Sequence, residues 1–276
     1  FSVDFETPRK SYSTAWKGLI NDPHISGSTQ INKGLIKARE LLVGITKLGL
    51  PISMEYLDPI VPQFMSDIVS CAVFGPRISE SQVHRELASG LSSPVGFVNG
   101  TDGSLQQAVD ACSASTCPHS FLSVTKQGLA AIVHTNGNPS YFVMLGGKKS
   151  GEANCAPQHI TALKDKMMAA KLHPAIGVDC AHNAGEDVER QSRLISDIAA
   201  SIARGSAISV VLMESYLQGG VQDIQSGRKP TGSKSVTSPC LDWSTTEEKL
   251  QELAKAVRDR RVLSEVGEPA AKRQRK

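Results

Sequence analysis

The sequence has 276 residues, of which 40% are hydrophobic and 21% are charged, and its formal net charge is +3. This composition suits a globular domain with a sizeable core, and so small a charge gives no argument for a nucleic-acid or membrane partner. No apolar run is long enough to cross a bilayer, and the first residues do not form a signal peptide. The six cysteines are scattered without a CxxC pair, which indicates reduced thiols in a cytoplasmic protein.

Short runs rich in branched and aromatic residues predict strands. Most of these runs are continuously apolar rather than alternating, as is typical of parallel strands that are covered on both faces. The predicted strands are Ser2–Glu6, Ile52–Tyr56, Cys71–Gly75, Val95–Asn99, Phe121–Val124, Tyr141–Leu145, Ile176–Cys180 and Ser209–Glu214.

Amphipathic stretches between these strands predict helices. Apolar residues recur at helical spacing after Ile31, and Gly49 is the expected C-terminal cap of that helix. Residues 159–173, 189–205 and 245–261 show the same pattern. We expect Thr245 or Thr246 to cap the last helix, with glutamates in its first turn. The alternation of strands and helices predicts a parallel sheet, open or closed.

The run Phe121–Val124 interrupts this alternation, because only a short polar, glycine-rich stretch follows it. It predicts an extra strand or hairpin near residues 121–140. The other seven strands predict an α/β protein with a (β/α)8 TIM-type barrel whose first strand lies before Phe1, since an open seven-stranded sheet would be a poor isolated domain. We expect this incomplete barrel to span residues 1–264. A disordered basic tail over 265–276 leaves nuclear location as a minor alternative to a cytoplasmic one.

In a β/α barrel the functional residues follow the C-terminal ends of the strands. Five cations come at or near these ends: Arg9, Lys17, Arg77, Lys148 and Lys149. Cations at a barrel mouth suit an anionic, phosphorylated substrate, although surface cations are also common. His182 and Glu214 end consecutive strands, and imidazole with carboxylate suits a divalent ion such as Mn, Fe, Co or Zn. Two ligands are too few to define a metal site, and a single histidine at a strand end is often structural.

Several segments carry a more specific pattern. They are Trp16–Ile25, Glu80–Phe97, Asn99–Ser104, Phe121–Thr125 and Thr135–Asn138. From Phe1 to about Arg261 the chain resembles type I 3-deoxy-D-arabino-heptulosonate 7-phosphate (DAHP) synthase, the feedback-regulated family of the aromatic pathway. The resemblance implies a (β/α)8 barrel that condenses phosphoenolpyruvate with erythrose 4-phosphate, using a divalent metal, to give DAHP and phosphate in the first step of the shikimate pathway. It also implies an upstream strand with a metal-binding cysteine.

Matching the family's motifs residue by residue implies four groups of site residues. They are phosphoenolpyruvate-binding Arg77 and Lys148, aldose-phosphate-binding Pro8 and Arg9, catalytic Lys17 and His84, and metal-binding His182 and Glu214.

Other positions depart from the family's pattern. Ser2 stands where the family has an arginine, while Thr7 and Val98 stand where it has lysines. The LGGKK turn lacks an arginine, for which either Lys148 or Lys149 is expected to substitute in part, and Ser238 replaces a metal-binding aspartate. Hydrogen bonds to ionised groups contribute about 1.5–3 kcal/mol each. Losing about four cations is therefore expected to weaken phosphoenolpyruvate binding by several kcal/mol, even though such terms rarely add.

Three functions stay open at this point. The chain is an altered DAHP synthase, or it acts on another, less anionic substrate in a specialised pathway, or it is a pseudoenzyme that modulates an active paralogue. The family forms dimers and tetramers, so we expect a homo-oligomer or a hetero-oligomer with a paralogue, with no nucleic-acid or membrane partner. A decaying gene copy is a further alternative, but the intact strand, helix and turn patterns argue against it.

Overall fold

The computed structural model describes residues 1–6, 16–125, 127–223 and 230–267. Thr7, Pro8 and Arg9 therefore lie outside the described residues. The chain divides into two compact units, Phe1–Gly100 with Ser104–Val143 and Thr101–Gly103 with Met144–Lys276.

The first unit contains the early strands of a parallel sheet. They are β1 (Ser2–Val3), β2 (Ser53–Glu55), β3 (Cys71–Phe74), β4 (Val95–Val98) and the first three residues of β7 (Tyr141–Leu145), in the spatial order β1-β2-β3-β4-β7. Neighbouring pairs among β1 to β4 are parallel. The backbone N–H of Val95 donates to the carbonyl of Ser140, which joins the start of β4 to the start of β7. The apolar runs are therefore parallel strands, as predicted.

The described part of the first unit contains the helices α1 (Ile31–Lys47), α2 (Pro62–Met65), α3 (Gln82–Ser89) and α4 (Leu105–Ser115). The predicted stripe of α1 buries Gly34, Ala38 and Leu42. Gly49 follows the helix with φ +77°, and its N–H donates to the carbonyl of Thr46. The predicted glycine cap is thus confirmed, because a positive φ costs glycine little.

The predicted extra element is an antiparallel hairpin. Strands β5 (Ser120–Val124) and β6 (Ala130–His134) pair with each other and form a two-stranded sheet of their own. Their accessible and half-buried side chains alternate, as expected when one face of a hairpin is covered.

The second unit contains the last two residues of β7 and the strands β8 (Ile176–Asp179) and β9 (Ile208–Leu212), and β8 is parallel to β9. Its helices are α5 (Pro157–Ala169), α6 (Cys180–Asn183), α7 (Val188–Ala203) and α8 (Trp243–Gly267). The short parallel strands β10 (Gln218–Val221) and β11 (Lys234–Ser235) were not predicted, since neither segment has a strong apolar run.

The predicted cap of α8 is wrong. The helix begins at Trp243, and the Asp242 carboxylate accepts the N–H of Thr245 at 2.7 Å. The Thr246 hydroxyl instead donates to the carbonyl of Asp242, and no acidic residue lies in the first turn. Aspartate and threonine both favour N-cap positions. The prediction chose the threonines of the TTEE motif and overlooked Asp242, which precedes them.

The far end of α8 extends beyond the predicted barrel boundary at residue 264, because the helix continues to Gly267. The rest of the predicted tail, residues 268–276, lies outside the described residues. Across the described ranges, no helix is both long and apolar enough to span a bilayer.

Candidate active-site residues in the two units

In the first unit, Arg77 follows β3 on the turn Gly75–Arg77 and is exposed. The N–H of Gly75 donates to the Glu55 carboxylate at 3.1 Å, and a Cβ at Gly75 would collide with that carboxylate. Glycine therefore lets the carboxylate lie directly against the turn. Among the described residues, the Arg77 guanidinium makes no hydrogen bond or ion pair, so its five donors remain available for an anion.

His84 lies in α3 and is buried, with 8% of its surface exposed. Its Nε2 is 2.9 Å from the carbonyl of Leu57, and its Nδ1 is 2.8 Å from the hydroxyl of Ser81. A carbonyl only accepts, so Nε2 donates to it, and Nδ1 of a neutral ring then accepts from the hydroxyl. The ring also packs edge-on against Phe74. Nε2 thus holds the loop after β2 against α3, while Nδ1 bonds the residue that precedes the helix.

Lys17 is exposed on the loop that follows residues 7–15. Gly18 has φ +97°, and a Cβ there would overlap the backbone of Phe5, whose carbonyl accepts the N–H of Ile20. This close approach fixes Lys17 beside the segment that follows β1. At the end of β4, Val98 is half-buried and brings no charge.

In the second unit, Lys148 lies in the turn after β7. Its ammonium is 2.7 Å from the Glu152 carboxylate, and its backbone N–H donates to the carbonyl of the same residue. The hydrogen bond and the charge of Lys148 lower the pKa of Glu152. The predicted phosphoenolpyruvate-binding lysine is therefore already paired with an anion of its own chain. Lys149 is exposed, and its N–H donates to the carbonyl of Thr101.

Asp179 and His182 form a pair at the end of β8. One Asp179 oxygen accepts the backbone N–H of His182 at 2.9 Å, and the other lies 2.7 Å from its Nδ1. The hydrogen bond and then the charge of Asp179 raise the pKa of His182 to about 9, with smaller contributions from Glu214 and Glu186. This bond orients the ring and directs Nε2 away from the carboxylate.

A buried network joins this pair to the turn after β7. The Asn183 amide donates to the carbonyls of Leu145 and Asp179, and its oxygen accepts the N–H of Asn154. The Asn154 oxygen in turn accepts the N–H of Gly147 at 2.8 Å. Sequence reasoning missed both asparagines. The position of Asn183 next to His182 was the available signal, but spacing does not show that an amide is buried.

Glu214 lies in the loop after β9 and is half-buried. Its N–H donates to Gln191 and its carbonyl accepts from Leu241. Burial raises the pKa of Cys240, and the charge of Glu214 adds to this shift. The same charge makes a smaller contribution to the raised pKa of His182 than Asp179 does. At the position of the family's aspartate, the Ser238 N–H donates to the Ser235 hydroxyl.

The residues fit a divalent metal only in part. A metal-bound histidine usually donates its second ring N–H to a carboxylate, and the Asp179–His182 pair has that arrangement. However, three protein ligands are the usual minimum for a catalytic site. Within the described ranges, no group of three His, Cys, Asp or Glu side chains is arranged to hold a metal ion.

Parallel strands alternating with helices, with polar side chains after the strand ends, define the class of β/α-barrel enzymes. The sequence model of the DAHP synthetase I family matches residues 1–251. A solved structure of phospho-2-dehydro-3-deoxyheptonate aldolase from Francisella tularensis matches with a TM-score of 0.89 and 43% identity, over 94% of this chain and 75% of that one.

Two curated relatives are similarly close. The Phe-sensitive phospho-2-dehydro-3-deoxyheptonate aldolase of Escherichia coli K12 is 46% identical over 94% of this chain and 73% of its own length. The tyrosine-inhibited enzyme of Schizosaccharomyces pombe is 45% identical over 93% and 70%. The chain belongs to the DAHP synthetase I family. Both the predicted family and the predicted α/β barrel fold class are therefore confirmed.

Proposed function

We propose that this chain is a DAHP synthase-family protein in which the condensation of phosphoenolpyruvate with erythrose 4-phosphate is weakened or lost. The reaction itself is supported by family membership and by the names of the relatives. The main support for weakened activity is the Lys148–Glu152 ion pair, because it neutralises the lysine nearest to the missing arginine of the LGGKK turn. The uncharged Val98, at a lysine position of the family's motif, supports the same conclusion.

In this proposal, the remaining residues bind and orient substrate. The guanidinium of Arg77, which pairs with none of the described residues, binds the phosphate or carboxylate of phosphoenolpyruvate, for which its planar donors are suited. Lys17, exposed beside the segment after β1, supplies a second cation to the anionic substrates. His84 acts as a positioning residue through its bonds to Leu57 and Ser81, because neither ring nitrogen is available for substrate.

His182 and Glu214 are the donors that this chain retains for the family's divalent metal. A bound metal would polarise the aldehyde of the acceptor sugar. Within the described ranges, these two side chains are not joined by a third His, Cys, Asp or Glu arranged to hold a metal ion.

A second candidate function is condensation or binding of a less anionic ligand. An apolar side chain at Val98 and an internal carboxylate at Glu152 both reduce the positive charge offered to a phosphorylated substrate. Such a change favours a smaller or less charged ligand over phosphoenolpyruvate.

The decisive experiment measures DAHP formation by the purified full-length protein with both substrates and Mn²⁺, beside the E. coli Phe-sensitive enzyme. The loss of one ionic contact at Val98, of about 1.5–3 kcal/mol, together with a roughly two- to fivefold effect of the exposed Lys148–Glu152 pair, predicts at least about twentyfold lower kcat/KM for phosphoenolpyruvate. A rate equal to that of the E. coli enzyme would overturn the proposal. Calorimetric titration then separates an altered synthase, which still binds phosphoenolpyruvate, from a chain that does not bind it.

The proposal extends to partners and location. We expect a cytoplasmic protein that forms a homo-oligomer or pairs with an active paralogue, as the resemblance implies. Sedimentation velocity of the full-length protein, alone and mixed with the paralogue, tests this, and a monomer in both samples would contradict it.

A further inference from the structure

The turn after β7 contains a lysine and a carboxylate that bind each other. Lys148 Nζ lies 2.7 Å from Glu152 Oε2. The backbone N–H of Lys148 donates to the carbonyl of Glu152, and the N–H of Gly151 donates to the carbonyl of Lys148. Gly151 has φ +85°, which permits this tight reversal of the chain. The backbone itself therefore brings the carboxylate to the ammonium.

The lysine stem is held in place from the other side. A Cβ built on Gly103 would lie 2.7 Å from Lys148 Cγ and 2.9 Å from its Cε, so the stem crosses directly over this glycine. The neighbouring Lys149 N–H donates to the carbonyl of Thr101, and the Gly147 N–H donates to the Asn154 side chain. Because the turn is fixed at these points, the Lys148 side chain has a defined direction. Its ammonium is bound by the Glu152 carboxylate.

The charge balance of this turn differs from that of a free lysine. Glu152 is ionised at neutral pH, since its contact with Lys148 lowers its pKa. An approaching phosphate or carboxylate would meet an ammonium that is already neutralised and a carboxylate of its own sign. A ligand with several negative charges is penalised more than one with few, because repulsion scales with the product of the charges.

We propose that Glu152 is a specificity-determining residue. Its carboxylate forms an ion pair with the Lys148 ammonium and so discriminates against multiply charged phosphorylated ligands. This inference deepens the proposed function, because it rests on Lys148 being part of the weakened anion site. Both partners are partly exposed, at 35% and 62% of their side chains, and solvent screens such pairs. The expected effect is therefore about two- to fivefold in affinity rather than a switch.

The test is a cycle of four full-length proteins: the unmodified chain, Glu152→Gln, Lys148→Gln and the double variant. Titration calorimetry measures the affinity of each for phosphoenolpyruvate and for inorganic phosphate. Glu152→Gln is expected to bind phosphoenolpyruvate about two- to fivefold more tightly, and inorganic phosphate by a similar or smaller factor. The gain should vanish in the Lys148→Gln background.

A matched control is available on α8, where Lys255 and Asp259 form a similar i,i+4 pair at 2.8 Å. Asp259→Asn removes the same charge and should leave both affinities unchanged. Thermal unfolding of each variant checks that the fold is intact.

Each other outcome overturns the inference. An unchanged or weaker affinity in Glu152→Gln, including no measurable binding, shows that Glu152 does not restrain Lys148. A gain that persists without Lys148, or that Asp259→Asn reproduces, shows a general charge effect instead. If the unmodified chain makes DAHP at an ordinary rate, the proposed weakening of activity is wrong. The KM for phosphoenolpyruvate of the same four proteins then still decides the role of Glu152.

Discussion

The strand ends of the two units use their polar side chains differently. In the second unit, Asp179, His182, Asn183 and Asn154 are bonded to one another and to the backbone. In the first unit, Arg77 makes no bond among the described residues, and Val98 is apolar where the family's motif has a lysine. The contrast teaches that polar side chains at the strand ends of the second unit stabilise the fold, whereas Arg77 has no such bond among the described residues.

This difference has a physical reason. Replacing a side chain that only meets a ligand costs the folded state little, whereas removing a buried hydrogen-bonded group leaves its partners unsatisfied. The ring of His84 bonds Leu57 and Ser81, so its replacement is expected to cost stability. Arg77 differs, because its guanidinium makes no hydrogen bond or ion pair with the described residues. Its binding of a ligand stays a prediction.

The largest effect is expected from Asn183→Ala in the buried network. The change leaves two carbonyls and the N–H of Asn154 without this amide, and each buried unsatisfied group costs about 1–3 kcal/mol. We expect the free energy of unfolding to fall by about 3 kcal/mol in urea denaturation. Asn32→Ala, at an exposed position of α1, serves as the control and should stay within about 0.5 kcal/mol. Equal stabilities of the two variants would contradict a structural role for the network.

Arg77→Ala is expected to lower ligand affinity and to leave stability unchanged. Loss of a charged ligand contact of about 1.5–3 kcal/mol predicts a phosphoenolpyruvate affinity at least about tenfold lower by calorimetry. The melting temperature should not change, since the guanidinium makes no hydrogen bond or ion pair with the described residues. Arg193, exposed on α7, offers a matched Arg→Ala control that should leave the affinity as it is. A loss of stability without a loss of affinity would assign Arg77 to the fold and remove the contrast between the units.

His84→Ala tests whether a predicted catalytic residue belongs to the fold instead. The variant loses two hydrogen bonds and an aromatic contact, so we expect its free energy of unfolding to be lower by about 2 kcal/mol. Its affinity for phosphoenolpyruvate should be unchanged at temperatures where it is folded. Chemical denaturation and calorimetry on the same sample measure both. If stability is normal and turnover alone falls, the catalytic role predicted from the motif stands.

The sequence allowed the fold to be predicted further than the site. Apolar runs locate all seven strands of the main sheet, and glycine chemistry locates the cap of α1 at Gly49, because both signals are local. The extent of β1 was overestimated, since the predicted strand ran to Glu6 and the observed one ends at Val3. Strand ends depend on neighbouring strands, which a single segment does not show.

The site required contacts that sequence spacing does not contain. The resemblance places Lys148 near a missing arginine, but the pairing with Glu152 depends on a reversal at Gly151 and on the close pass over Gly103. Likewise, nothing in the DCAHN segment shows that Asn183 is buried while His182 beside it is 61% exposed at its side chain. A helical turn only four residues long produces that difference.

Ser238→Asp is expected to give the smallest effect, and it probes the metal donors of the second unit. The change returns a carboxylate to the position where the family has one, near Cys240 and Glu214. Since even partners outside the ligand set alter metal affinity by about 10–100-fold, we expect Mn²⁺ to bind about tenfold more tightly, as measured by competition with a fluorescent chelator. Ser244→Asp, at an exposed position in the first turn of α8, is the control. An equal gain in both variants would reflect added charge alone, whereas a gain confined to Ser238→Asp would show that the second unit has kept the geometry of its metal site and lost one ligand.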